Sequence, residues 1–338
     1  MSTPPANGQR NGPSNGSATE RLAAQLSSVL DGAEVTDLVR LSGGASRETW
    51  RFTAHGDAAD GAGTRPLILQ RQRAGDGRDM GVEASVLRAA GAAGMPVAQV
   101  VASGTGDDSP LEASFMVMTA VEGETIARKI LRDDEYAEAR RVLPAQLGAA
   151  LAQLHAIPVD AAPGLVEQDQ IAYYRGVMDT LGQPHPTFEL AFRWLEQHRP
   201  TSPRTTIVHG DFRLGNVIVG PDGLRAVLDW ELAHLGDPME DLGWLCVKAW
   251  RFGSRLPVAG VGEYRQLFEA YEAAGGGRVD PDEARWWEVL GTLKWGIMCI
   301  LQCSAHMNGF SRSHELAAIG RRVCENEHDL FLALEGRW

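Results

Sequence analysis

Residues 208–219 read VHGDFRLGNVIV, a run of strand-forming apolar residues broken by His209, Asp211, Arg213 and Asn216. A few residues later a second apolar run, LRAVLDWE, closes on Asp229 and Glu231. A carboxylate buried in such surroundings costs several kcal/mol unless it is paired or holds a metal ion. Mg²⁺ takes hard oxygen ligands and keeps several of its waters, so one carboxylate and one amide can suffice to hold it. Phosphoryl transfer asks a protein for those same parts: a base that orients the attacking hydroxyl, and oxygen ligands for the metal that bridges nucleotide phosphates. Asp211 fits the base; Asn216 and Asp229 fit the metal. The five positions from Asp211 to Asn216 let one loop present the first to substrate and the second to metal. Asp and Asn also cap strand ends in turns. That plainer role accounts for any one of these residues but poorly for the set.

A second stretch could meet phosphate. In LSGGASRETW, Gly43 and Gly44 let backbone N–H groups approach an anion closely, and Ser46 can add a hydroxyl donor. A glycine pair between two strands is also an ordinary hairpin turn. Other polar residues suit supporting roles. His209 is placed to brace the loop, and Asp241 to accept backbone N–H groups from it. His155, on an apolar helix face, reads as a hydrogen-bonded core histidine. Trp286, Trp287 and Trp295 fit a packed helical core at least as well as a substrate wall. Arg213 can steady the transferred phosphate or the acceptor.

The elements that must carry these residues follow from periodicity. Thr19 can cap an amphipathic helix, ERLAAQLSSVLDG. Five strands and a helix over MGVEASVLRAAGAAG then fit within residues 19–122, a small antiparallel sheet lobe. After Gly123 the pattern turns helical, beginning with a long amphipathic stretch that Pro144 interrupts. From Asp241 onward it is almost wholly helical. The fold class expected is α+β, in two lobes, with a disordered Pro/Gly/Asn/Ser tail over 1–18 and a larger, mainly helical lobe over 123–338.

Composition narrows the partners. The 338 residues carry a net charge of −12, which argues against tracking a nucleic-acid backbone. No apolar run approaches the roughly 20 residues of a membrane span, and the N-terminus lacks the apolar core of a signal peptide. Cys246, Cys299, Cys303 and Cys324 form no CxxC pair and read as free thiols of a reducing compartment. A cytoplasmic protein is expected.

The sequences HGDFRLGNVIVG, AVLDWELAHLGDPMEDLGWL and IGRRVCENE resemble the aminoglycoside phosphotransferase and choline kinase superfamily, which shares the protein-kinase-like two-lobed fold. They are most similar to the branch associated with acyl-CoA dehydrogenases. The resemblance runs from about Arg21 to the C-terminus. It implies an ATP- and Mg²⁺-dependent kinase acting on a hydroxyl of a small molecule, with residues 19–122 as the nucleotide lobe. Asp211 matches the base, Asn216 and Asp229 the Mg²⁺ ligands, with Glu231 a neighbouring partner. Gly43, Gly44 and Ser46 match the nucleotide-covering loop. Glu83 matches the glutamate that pairs with the phosphate-binding cation, although a solvated helix-face glutamate is the alternative. Thr119, through its carbonyl, and Val121, through its N–H, match the adenine-meeting hinge. One departure stands out: the ungapped match puts Gln70 where the family carries a cation. A one-residue bulge would instead bring Arg71 inward, and Arg71 is the residue expected to hold the phosphates. The branch implies a hydroxyacyl-CoA acceptor, for which Lys248 and Arg251, just after the metal motif, are candidate flanking cations. The alternatives are an aminoglycoside O-phosphotransferase and a catalytically silent nucleotide-binding module.

Overall fold

Strand alternation builds the first sheet. In the computed structural model, which describes residues 15–41, 47–56, 63–73, 80–201 and 204–337 (backbone alone for 15–17), Leu67 and Leu69 are fully buried while Pro66 is exposed. Side chains two apart on a strand share a face. The first unit holds α1 (Asn15–Val29), β1 (Glu34–Leu41), β2 (Arg47–His55), β3 (Thr64–Gln72), β4 (Val100–Gly104) and β5 (Phe115–Thr119). Its strands form one antiparallel sheet in the order β1-β2-β3-β5-β4. Leu22, Leu26 and Leu30, spaced one helical turn apart at and just beyond α1, pack on Phe52, Leu67, Leu69, Phe115 and Val117. Helix α1 begins at Asn15, so Thr19 lies inside it and does not cap it. The rest of the expected tail, residues 1–14, lies outside the described residues.

The second unit comprises residues 82–99 and 121–338. The helix α2 (Gly81–Ala92), expected with the first lobe, therefore clusters almost entirely with the second. The unit continues with α3 (Ala127–Arg132), α4 (Ala137–His155), α5 (Gln170–Leu181), α6 (Pro186–Gln197), β6 (Thr206–Val208), β7 (Val217–Gly220), β8 (Gly223–Val227) and β9 (His234–Gly236). It ends with α7 (Met239–Cys246), α8 (Tyr264–Ala273), α9 (Pro281–Met307), α10 (His314–Ile319) and α11 (Val323–Leu334). Pro144 does not break α4: its ring is buried and lies against Gly262, where any Cβ would strike it.

Helix α9 organises the core. Asp280 caps it by accepting from the Asp282 N–H, and Pro281 at its first turn needs no donor there. Trp286, Val289, Leu290, Leu293, Ile297 and Ile300 recur every three or four residues and bury against α5, α6 and α11. Each such aliphatic side chain, fully buried, contributes about 1.5–3 kcal/mol. No helix among the described residues is long and apolar enough to cross a membrane.

Candidate active site

The motif residues converge at the ends of two short two-stranded ladders. Strands β6 and β9 pair antiparallel, and the chain leaves β6 directly into His209 and Asp211. The β7–β8 hairpin pairs Val217 with Val227, and the Leu228 N–H reaches the Asn216 carbonyl at 2.8 Å. That register sets Asn216 and Asp229 at the open end of one hairpin. Gly210, at φ +76°, makes the turn between His209 and Asp211. A Cβ there would lie 2.5 Å from the Leu232 carbonyl oxygen. Asp229 also occupies the left-handed region, at φ +64°, which Asp tolerates better than branched residues do.

Buried hydrogen bonds hold this loop. Asp241, fully buried at the start of α7, accepts from the N–H of His209 at 2.8 Å and of Gly210 at 2.9 Å. It also takes His155 Nε2 at 3.1 Å, while His155 Nδ1 meets the Tyr271 hydroxyl at 2.9 Å. Burial alone would raise the Asp241 pKa, but His155 and the loop amides outweigh it and hold the carboxyl below its ordinary value. His209 links the two halves of the motif. Its Nε2 lies 2.9 Å from the Leu228 carbonyl, and its Nδ1 accepts from the Asp211 N–H at 3.2 Å. Burial lowers its pKa against the pull of Asp241 and Asp211, which keeps the ring neutral with its proton on Nε2.

The Asp211 carboxylate is only 14% exposed and takes three side-chain donors. Its Oδ1 accepts from Trp244 Nε1 at 2.8 Å and Arg213 Nε at 3.1 Å, and its Oδ2 accepts from Asn216 Nδ2 at 2.6 Å. A carboxylate offers about four lone-pair directions. Two donors on Oδ1 and one on Oδ2 leave a place on Oδ2 for a hydroxyl proton. Asn216 Nδ2 also reaches the Asp211 carbonyl at 3.0 Å. With its N–H groups so directed, Asn216 leaves Oδ1 as an amide oxygen that could meet a cation. One amide and one acid, Asn216 and Asp229, suit a hard cation that keeps its waters.

Two residues here, and one in the first unit, left little trace in the sequence. Trp244 comes from α7, and its indole N–H ends on the Asp211 carboxylate. Lys294, on α9, reaches the Gly210 carbonyl at 2.8 Å and Glu240 at 3.4 Å, with its Nζ 4.6 Å from the Trp244 ring centroid. Burial would lower its pKa, but the charges of Tyr174, Glu240 and Asp211 outweigh that and raise it. A lysine inside EVLGTLKWGIMCILQC was the one visible sign. The third is Arg47, at the start of β2, buried to 7% exposure, whose Nη1 donates to Gln70 Oε1 at 3.1 Å.

The first unit corrects one expectation. No bulge brings Arg71 across. The β2–β3 register is unbroken from Arg47↔Gln72 to His55↔Thr64, and β3–β5 is unbroken through Gln70 and Arg71. Period two then leaves Arg71 on the face of Leu67 and Leu69, opposite Gln70. Its Nε is buried without a hydrogen-bond partner. Gly43, Gly44 and Ser46 lie outside the described residues. Thr119 ends β5 opposite Leu67, and Val121 begins the longer segment of the second unit. Glu83 is buried on the first turn of α2, which removes the solvated-face alternative. The two candidate acceptor cations are both ion-paired. Arg251 is buried and fixed to Glu288, Tyr264 and the Cys246 carbonyl, and Lys248 pairs with Asp329 at 2.5 Å.

A model of the phosphotransferase enzyme family matches residues 37–287, three quarters of the chain, including His209, Asp211, Asn216, Asp229 and Trp244. The chain belongs to that family. Solved structures share the fold of this phosphotransferase. A Ralstonia eutropha protein, provisionally described as an aminoglycoside phosphotransferase, superposes with a TM-score of 0.71 at 21% identity, covering 94% of this chain and 98% of that one. A choline/ethanolamine kinase family protein from Mesorhizobium loti gives 0.63 at 19% identity, covering 94% and 98%. By sequence the phosphotransferase is 47% identical to acyl-CoA dehydrogenase family member 10 of Mus musculus over 75 residues, 22% of this chain and 7% of that protein. To family member 11 of Gallus gallus it is 31% identical over 180 residues, 48% and 22%. It thus spans well under half the length of these relatives.

Proposed function

We propose that this phosphotransferase moves the γ-phosphoryl group of ATP, with Mg²⁺, onto a hydroxyl of a small hydroxyacyl thioester. The observation that carries the reading is the Asp211 carboxylate, oriented by Trp244, Arg213 and Asn216 yet left with an accepting position on Oδ2. The acceptor oxygen forms the new O–P bond, the bond between the β,γ-bridging oxygen and the γ-phosphorus breaks, and ADP leaves. The hydroxyl proton passes to Asp211 Oδ2. Asn216 and Asp229 would hold a Mg²⁺, which would supply neutralisation of charge on the phosphate oxygens. Lys294 and Asp241 keep the loop in register, so that base and metal ligands need no rearrangement during transfer.

For the phosphates we assign Arg47. Residue 70 is the position that the motif aligns with the family's cation, and Gln70 holds the Arg47 guanidinium on that same strand face. The thioester reading draws on the relatives named as acyl-CoA dehydrogenase family members. A kanamycin-like acceptor is the competing reading, supported by solved neighbours described in complex with aminoglycosides. The test is mass-spectrometric product analysis after incubation with ATP, Mg²⁺, a chain-length series of 4-hydroxyacyl-CoA and kanamycin. A phosphorylated thioester is expected. Phosphorylated kanamycin with no thioester product would overturn the acceptor, and no product with either would overturn the reading of phosphoryl transfer to these acceptors.

A further inference from the structure

Helices α7, α8 and α9 enclose a cavity of about 560 Å³ on the side of α7 turned away from Asp211. Leu242, Gly243 and Cys246 supply its α7 wall. With 3.6 residues per turn these three share one face of the helix. Trp244, which meets Asp211, leaves from nearly the opposite face. The cavity opens beside one very close contact. At Gly243 the backbones of α7 and α9 approach until a Cβ would lie 2.6 Å from the Trp287 Cβ and 2.7 Å from the Glu288 nitrogen. Helix α8 stands across the gap and supplies Tyr264 and Phe268 as the third wall. Packed interiors leave few voids larger than a water molecule. Apolar clefts of roughly 300–1,000 Å³ with a few polar groups are where small molecules bind.

The lining divides into an apolar interior and a charged mouth. Leu242, Val279 and Ala284 are buried, and Glu288 at the floor is closed by Arg251 and Tyr264. Exposed Glu269, Glu272 and Asp282 mark the mouth, together with Arg265 and Arg285. Three carboxylates against two guanidiniums leave one negative charge there. Arg265 is committed to Glu269 at 3.3 Å. Glu272 accepts the Val279 N–H at 2.7 Å. Among the described residues the Asp282 carboxylate has no hydrogen bond or ion pair. The first turn of α9 would favour an anion, but Asp280 caps it and Asp282 and Glu283 already add negative charge.

We infer that this cavity is a second small-molecule site, for an apolar ring or short chain bearing a single ammonium group. The apolar body fills the interior, and the ammonium stands at the mouth with Glu272 and Asp282. An anion of the same size would meet surplus like charge. A polyhydroxylated amine would bring its hydroxyls against Leu242, Phe268, Val279 and Ala284, where burying them costs free energy. The site lies apart from the phosphoryl-transfer centre and does not depend on the assignment of Asp211.

The probes are 2-phenylethylammonium, 2-phenylethanol and 3-phenylpropionate, titrated into the protein with Mg-ADP present. Methyl resonances of Leu242 and ring resonances of Phe268 should shift and saturate with the ammonium, at a Kd on the order of 1 mM. The alcohol should bind about 2- to 5-fold more weakly, the effect of one partly exposed ion pair, and the carboxylate more weakly still. Asp282→Asn makes the mouth neutral and should bring ammonium and alcohol to equal affinity. Ala284→Leu fills the cavity from α9 and should abolish the shifts while Mg-ADP affinity stays within a few fold. The wild-type titrations decide even if that variant fails to fold. Absence of saturating shifts with all three probes overturns the site, as do shifts that persist unchanged in folded Ala284→Leu. Equal affinity for the three probes, or tighter binding of the carboxylate, overturns the assignment of a cationic ligand.

Discussion

Two charged clusters meet helix α7, and they use their charge differently. On one side Trp244 donates to Asp211, whose carboxylate keeps 14% exposure and a free place on Oδ2. Further along, the Cys246 carbonyl takes Arg251, which pairs with Glu288 at 2.7 Å with side chains 9% and 2% exposed. The Tyr264 hydroxyl closes that second cluster on both Glu288 oxygens, at 3.1 and 2.9 Å. The carboxylate proposed to act as base is oriented but left incomplete. A group meant to hold helices together is completed from within. The sequence offered Arg251 as an acceptor-site cation because it follows the metal motif closely. Its partners show instead that it ties the short 3₁₀ turn Lys248–Arg251, just after α7, to α9.

The contrast can be broken by experiment. The largest effect should come from Asp211→Asn, which keeps shape and removes the proposed base. Turnover should fall about 10²–10⁴-fold, with nucleotide affinity by calorimetry held within a few fold and the thermal midpoint little changed. If turnover stayed within a few fold of wild type, Asp211 would not be the base.

Arg251→Met should do the reverse. It strips Glu288 of its partner and should cost about 3–5 kcal/mol in urea unfolding, while KM for both substrates stays near wild type in the folded enzyme. A selective rise in thioester KM with intact stability would return Arg251 to the acceptor site. Glu288 adds a pH signature. Burial, only partly offset by Arg251 and Tyr264, pushes its pKa up to about 7. An acid whose folded pKa is raised stabilises the fold most below its unfolded value, near 4.5, and loses that contribution as pH rises toward 7. The difference in unfolding free energy between wild type and Glu288→Gln should therefore move against wild type between those pH values and level off above them. A difference independent of pH would mean that Glu288 is ionised throughout.

The smallest and finest test lies in the first unit. Arg47→Ala should raise KM for ATP about 10-fold or more, as loss of a charge-assisted hydrogen bond does, and Arg71→Ala should do less. The opposite ranking would place the phosphates on the Leu67–Leu69 face and return the role to Arg71.

The sequence by itself determined the parts whose meaning is local. Apolar runs ending in Asp211, Asn216 and Asp229 marked polar side chains at strand ends, where the ladders do place them. Alternation and helical spacing likewise separated a five-stranded sheet from a helical remainder, since the periods of strand and helix are set by backbone geometry alone. Tertiary structure decided everything that depends on direction. The parity of Gln70 and Arg71 turned on whether the ladders to β2 and β5 stay in register, which the sequence of β3 does not encode. Arg251 stands close to the motif in sequence but is committed to Glu288, 37 residues away. Trp244 and Lys294 reach Asp211 and Gly210 from 33 and 84 residues away. Side chains at such separations meet only because α7 and α9 pack together, and packing is a property of two surfaces rather than of one stretch of chain.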